Sequence, residues 1–187
     1  MARIGLSNFR YSILTEAQDG TPSYAGPKTP GHAITCNVEV SNNDASLYGD
    51  DTMIESDKTF NMATVTMGID DDDVMVMADL LGHEVDENGK MVRNANDTAP
   101  YIGLGRIITK MVNGVYKYKV EFLYKVKFAE PSQDNTTKGE NVEFSTPELS
   151  GTATALLNGD WSETQTFDTK AEAITYLESL LASPTSV

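Results

Sequence analysis

The longest regular pattern in the chain lies at Val115–Phe128. Tyr116, Tyr118, Val120, Phe122, Tyr124, Val126 and Phe128 alternate with Lys117, Lys119, Glu121, Lys125 and Lys127, and Leu123 alone breaks the rhythm. A period of two predicts a long antiparallel strand with one buried and one solvated side. Asn113-Gly114 joins it to a second apolar run, Tyr101–Val112, and that dipeptide is the strongest short hairpin signal. Shorter strand patterns fall at Asn8–Leu14, Ala33–Val40, Thr59–Met67, Ser150–Leu157 and Trp161–Asp168. The last two read as a hairpin through Asn158-Gly159, and Asn88-Gly89 marks a further turn.

Two segments change period. Val74, Met77, Ala78 and Leu81 form one helical stripe, preceded by Asp70–Asp73 and followed by Gly82. The acids are expected in capping positions and in the first turn, where they complement the helix dipole. They lack the alternating ligands and the glycine of a calcium loop. Thr169-Lys170-Ala171-Glu172 is a capping box before Ala171, Ile174, Leu177 and Leu181, and Pro184 ends that helix. The expected fold is therefore mainly β within an α+β class. It is an antiparallel sandwich or barrel with a flanking helix and a second, short C-terminal helix, in one domain over 1–187.

Between the strands, Asp19–Pro22, Gly26–Gly31 and Pro131–Asn141 read as loops, and 183–187 as a loose tail. Ser41–Lys58 is polar and acidic, with Asn42-Asn43-Asp44 and Gly49-Asp50-Asp51 inside it. Regular structure is weakly specified there, so it reads as a long acidic loop of the functional or mobile kind.

Charge sharpens the picture. The 187 residues carry 28 acids and 14 bases, a net charge of −14. Between Glu39 and Glu87 stand 14 acids and one base, Lys58, so this span holds nearly all of the excess. Self-repulsion opposes such concentration, which leaves two readings: a well-solvated face, or a surface that must not adhere to something negative. Groove reading of nucleic acid and adhesion to anionic membranes are both disfavoured. No apolar run approaches the roughly 20 residues of a spanning helix, and the first residues lack a signal-peptide core, so synthesis in the cytosol is expected.

Candidate chemistry is sparse. Cys36 is the only cysteine and, between Ile34 and Val38, reads as a buried, inert thiol. His32 and His83 have no Cys or His at metal-ligand spacing. Gly103-Leu104-Gly105 lacks the third glycine of a dinucleotide loop and sits in a strand pattern. No nucleophile elbow or phosphate-binding loop is present, and acid neighbours such as Asp50-Asp51 give no reason for a perturbed pKa. No catalytic residue, cofactor or metal is expected.

Several segments together carry a resemblance. They are Leu47-Tyr48-Gly49-Asp50-Asp51, Leu80-Leu81-Gly82, Pro100-Tyr101-Ile102-Gly103-Leu104-Gly105 and Tyr124–Pro131. They continue with Thr136–Phe144, Thr146–Thr152 and Gly159-Asp160-Trp161. In this order and spacing the chain, from about Leu6 to Trp161, resembles the major tail proteins of siphophages of Gram-positive hosts, the phi13-like group. The resemblance implies a tail-tube sandwich or barrel whose copies form hexameric rings. Rings stack into a hollow tube around a tape-measure protein, with tail terminator and distal tail proteins at the ends. DNA passes through the bore without specific binding, and no membrane partner is involved. The implied location is the virion tail, after assembly in the host cytoplasm.

The resemblance also makes the acidic segment an inter-subunit or inter-ring arm, with Ser41, Asn43, Leu47, Tyr48, Asp50, Asp51, Ile54, Glu55 and Lys58 as contact residues. Some of Glu39, Asp44, Asp50, Asp51, Glu55 and Asp57 are expected to face the bore, and the lysines of Lys117–Lys127 to avoid it or pair with a neighbour's acids. Two alternatives stand beside this reading. One is the inner-tube subunit of a contractile tail, a tail-like bacteriocin or a secretion tube. The other is a monomeric β-barrel binding a small ligand.

Overall fold

A computed structural model of the chain describes residues 2–132 and 146–182, with the backbone alone at 47–49. The strands are β1 (Ala2–Glu16), β2 (Pro22–Tyr24), β3 (Ala33–Gly49), β4 (Thr52–Ile69), β5 (Glu84–Val85), β6 (Met91–Val92), β7 (Ile102–Val112), β8 (Val115–Phe128), β9 (Glu148–Ala153) and β10 (Ser162–Phe167). The helices are α1 (Val74–Leu81) and α2 (Lys170–Leu180). Every strand pairing is antiparallel. The loop expected at Pro131–Asn141 lies outside the described residues from position 133 onward, as does the tail expected at 183–187.

Among the described residues the main sheet has the order β2-β1-β7-β8-β9-β4-β3, with β10 also on β8. It is open, not a closed barrel: β1 and β3 do not pair. The sheet forks at β8, because β7 occupies one side of that strand along most of its length. On the other side, β10 pairs with Tyr118–Leu123 and β9 with Val126–Phe128. The segments Ser150–Leu157 and Trp161–Asp168 therefore form no hairpin with each other, contrary to the expectation from Asn158-Gly159. The turn at Leu156–Gly159 instead carries the chain from one stretch of β8 to the next.

The fork turns β9, β4 and β3 over the β1–β7–β8 layer. One core cluster lies between them, with Phe9, Tyr11, Val65, Met67, Ile69, Ile102, Leu104, Leu123, Val126, Phe128 and Leu149, closed at one end by Leu80 and Leu81 of α1. A second lies on the far face of β7 and β8, where α2 seats Ala173, Leu177 and Leu181 over Ile107, Val120 and Phe122.

The two-sided core corrects the reading of β8 as a strand with one buried face. Between the pairs Leu104–Leu123 and Ile102–Val126 one residue of β7 opposes two of β8. This bulge flips the alternation. Val120 and Phe122 point to α2, whereas Val126 and Phe128 point into the sandwich. Leu123, the apparent break in pattern, is a sandwich residue on the opposite face from Phe122.

The helix ends follow their local chemistry. The Asp73 side chain accepts from the backbone N–H groups of Met75 and Val76 at 2.9 and 3.1 Å, and Gly82 closes α1 in the left-handed region. The first turn of α1 contains no acid, so the expected dipole role is confined to the cap. Asp70 is used otherwise: it accepts from the His32 backbone N–H at 2.6 Å and contacts the His32 ring. The capping box of Thr169 and Glu172 forms as its spacing predicts.

Candidate functional site

The Ser41–Lys58 segment is not an irregular loop. It is the outer half of a β-hairpin, with partners running from Ser41–Met62 to Gly49–Thr52. Asp50 and Asp51 form the two-residue turn with φ of 48° and 59°. Positive φ at both central positions is the geometry whose twist matches a hairpin, and Asp tolerates it better than most residues. Ala63 pairs with Ala153, the last residue of β9, so, among the described residues, 52–62 pair with β3 alone. At about 3.3 Å per residue this arm extends roughly 35 Å from the body.

Both faces of the arm are open to solvent. Residues 41–46 and 52–59 are all exposed, Met53 at 53% and Ile54 at 66%. An isolated two-stranded ribbon is marginally stable in water. The arm is anchored at its base, where Phe60 stacks on Trp161 with ring centroids 4.4 Å apart and planes 10° apart.

The predicted contact residues distribute over the arm in a definite way. Asp44 lies opposite Lys58, and the two form an exposed ion pair at 3.5 Å. Ser41 and Asn43 are on β3; Ile54, Glu55, Asp57 and Lys58 are on β4; Leu47 and Tyr48 lie on β3 near the tip. Directly opposite residues share a face, and Asp57 opposes Ala45 while Glu55 opposes Leu47. By alternation these two acids lie with Glu39 on one face, Asp44 lies on the other, and Asp50 and Asp51 cap the end. The six acids therefore do not share a single wall.

A surface that the sequence did not single out lies behind Glu39. The outward residues of β3, β4 and β9 form rows: Thr35, Gly68 and Glu148; Asn37, Thr66 and Ser150; Glu39, Thr64 and Thr152. Among the described residues these rows are neutral or acidic and carry no base. Lys127 on β8 lies directly opposite Thr152 at the margin of this face, held with Lys125 over the Tyr101 ring.

The expected lysine face of β8 is mostly satisfied within the chain. Lys117 pairs with Asp168, Lys119 with Glu121, and Lys125 with Glu16 at 2.5 Å. Arg106 spans the mouth of the sandwich. It donates to Glu121 from Nε at 3.0 Å and from Nη2 at 2.7 Å, and from Nη1 to the Cys36 carbonyl at 3.0 Å. These groups line a cleft of about 330 Å³ together with Arg3, Val38, Val40 and Trp161. Arg106 and Lys119 are paired with Glu121 within it, so the cleft is polar, unlike the apolar pocket expected of a small-ligand barrel.

Desolvation acts to raise the Glu121 carboxyl, but the hydrogen bonds and charges of Lys119 and Arg106 outweigh it and hold it below its ordinary value. A carboxyl depressed in the folded state contributes stability above its unfolded pKa of about 4.3, and loses it as pH falls through the lower folded value. Wild-type stability to denaturant is therefore expected to fall more steeply between about pH 6 and pH 3 than that of Glu121→Gln. Equal slopes would remove Glu121 from the acid response.

His83 is nearly buried, with Nδ1 2.7 Å from Asp97 and Nε2 hydrogen-bonded to Glu130. It fastens the segment after α1 to the end of β8. Among the described residues no cluster of three His, Cys, Asp or Glu has metal-binding geometry, and no helix is long and apolar enough to cross a membrane. No protein-family model matches the chain, and no match is found among curated proteins.

Proposed function

We propose that the protein is a structural, self-assembling subunit, the major tail-tube protein of a long-tailed bacteriophage, whose hexameric rings stack into a conduit for DNA and the tape-measure protein. The observation that carries this reading is the arm. A ribbon with Met53 and Ile54 exposed and, among the described residues, no packing beyond its base gains little in a monomer. Its exposure is explained if a neighbouring copy covers it.

Two further features support assembly. Among the described residues the edges of β3 and of the first half of β1 are left unpaired by the main sheet, and β10 pairs on one side only. Natural monomers blunt such edges, and head-to-tail pairing would use them. The base-free face of β3, β4 and β9 suits a wall beside duplex DNA, which carries a negative charge about every 1.7 Å. Glu39 and Glu148 would then face the bore.

The test is sedimentation velocity and negative-stain microscopy of the purified full chain over a wide concentration range. Rings or tubes of uniform width are expected. A monodisperse monomer throughout, with no neighbour trapped by cross-linking, would overturn the reading.

A further inference from the structure

The inner face of the β1–β7–β8 layer continues past the core toward the Asn113–Gly114 turn, and there its character changes. Arg3 is opposite Lys110, and Lys110 is opposite Lys117, which sets three cations abreast on neighbouring strands. Lys119 stands one step inward, opposite Ile108. Like charges directly opposite across a sheet are destabilising.

Only part of this row is answered within the chain. Lys117 has Asp168 and Lys119 has Glu121. Among the described residues neither Arg3 nor Lys110 has an ion-pair partner. Partial burial, then the charges of Lys119 and Arg3, depress the Lys110 ammonium below its ordinary value. A chain of net charge −14 thus keeps a self-repelling cationic row, bordered by Val115, which is 58% exposed.

The arm carries the complement. Asp50 and Asp51 sit side by side at its tip, with Glu55 and Asp57 behind them and Met53 and Ile54 exposed between. Its one base, Lys58, is already paired with Asp44. We infer that the arm tip of one copy docks on the Arg3–Lys110–Lys117 row of a second copy, with the Asp50 and Asp51 carboxylates on Arg3 and Lys110, and Met53 and Ile54 against Val115. Tip and row are different surfaces, so a single such contact leaves a free row on one copy and a free tip on the other, from which a head-to-tail ring or stack is extended. This inference rests on the self-assembly reading and gives that reading a receptor surface.

Carbodiimide joins a carboxylate to a lysine amine with no spacer, so it reads this contact directly. Equal amounts of ¹⁴N- and ¹⁵N-labelled full-length protein are mixed, treated, and the linked peptides mapped by mass spectrometry. Isotopically mixed links from Asp50, Asp51, Glu55 or Asp57 to Lys110 or Lys117 are expected. In the variant R3E/K110E, links from the arm to Lys117 should fall about tenfold, and mixing it with D50K/D51K should restore association between the two. Circular dichroism confirms that the variants fold; the wild-type map stands without them.

Mixed links that join other surfaces would overturn the docking while leaving self-assembly intact. Absence of mixed links and of particles at every concentration would overturn the self-assembly reading itself. Retention of labelled duplex DNA by wild type and not by R3E/K110E would make the row a polyanion site and refute the docking.

Discussion

Excising Ala45–Glu55 should leave a folded monomer that no longer assembles. None of the described side chains in this stretch belongs to either core cluster. The cut also respects the hairpin. It leaves the Asp44–Lys58 pair joined by Ser56 and Asp57, a two-residue connection in the same register. Changing that pair to Asn-Gly supplies the residues such turns prefer. Loss of solvent-exposed ribbon should alter the stability of the body by less than about 1 kcal/mol. Assembly, in contrast, should drop from extended particles to monomer, because the truncation removes Asp50, Asp51, Met53 and Ile54 together. Normal tubes from the truncated protein in electron micrographs would sink the arm's assigned role.

Phe122→Ala should destabilise the fold more than any change on the arm. Phe122 is fully buried beneath α2. Its ring meets Tyr24 at 5.6 Å and Tyr124 at 5.3 Å, both edge to face. It lies opposite Gly105, and the backbone there leaves it room. A Cβ on Gly105 would come within 2.1 Å of Leu177 Cδ1, and one on Gly103 within 2.8 Å of the Phe122 ring. The two glycines that resemble part of a dinucleotide motif are therefore where aromatic rings and α2 approach the sheet. Removing a buried phenyl typically costs about 3–5 kcal/mol, against a total stability of about 5–15 kcal/mol. A fall in melting temperature of about 10 °C or more is expected by calorimetry. A shift of only a degree or two would show that α2 is not held through this ring.

Local chemistry was legible where one residue's donors and acceptors decide the outcome. Asp73, Gly82 and the Thr169–Glu172 box mark helix ends in the sequence and in the structure. Asn113-Gly114 likewise joins β7 to β8, because positive φ at both positions selects few residues. The arm was harder to read. Its backbone is regular, but with solvent on both faces no apolar alternation is required, and period two leaves no trace in Ser41–Lys58. Its turn uses Asp50-Asp51 in place of Asn-Gly, a weaker signal for the same geometry.

The antiparallel β class, the two capped helices and the segregation of acid between Glu39 and Glu87 could all be read along the chain. All of these follow from residues near one another in the chain. That β8 serves two cores emerges from the packed sheet. The bulge opposite Gly103 turns Val126 and Phe128 away from Val120 and Phe122, and this makes Leu123 a core residue. The packed sheet also separated β9 from β10, set Glu39 beside Thr64 and Thr152, and brought Arg3 opposite Lys110. Each of those placements depends on which strand edge is free when another strand arrives. That competition is settled by burial and backbone pairing between segments a hundred residues apart, and it has no signature in the residues on either side of a turn.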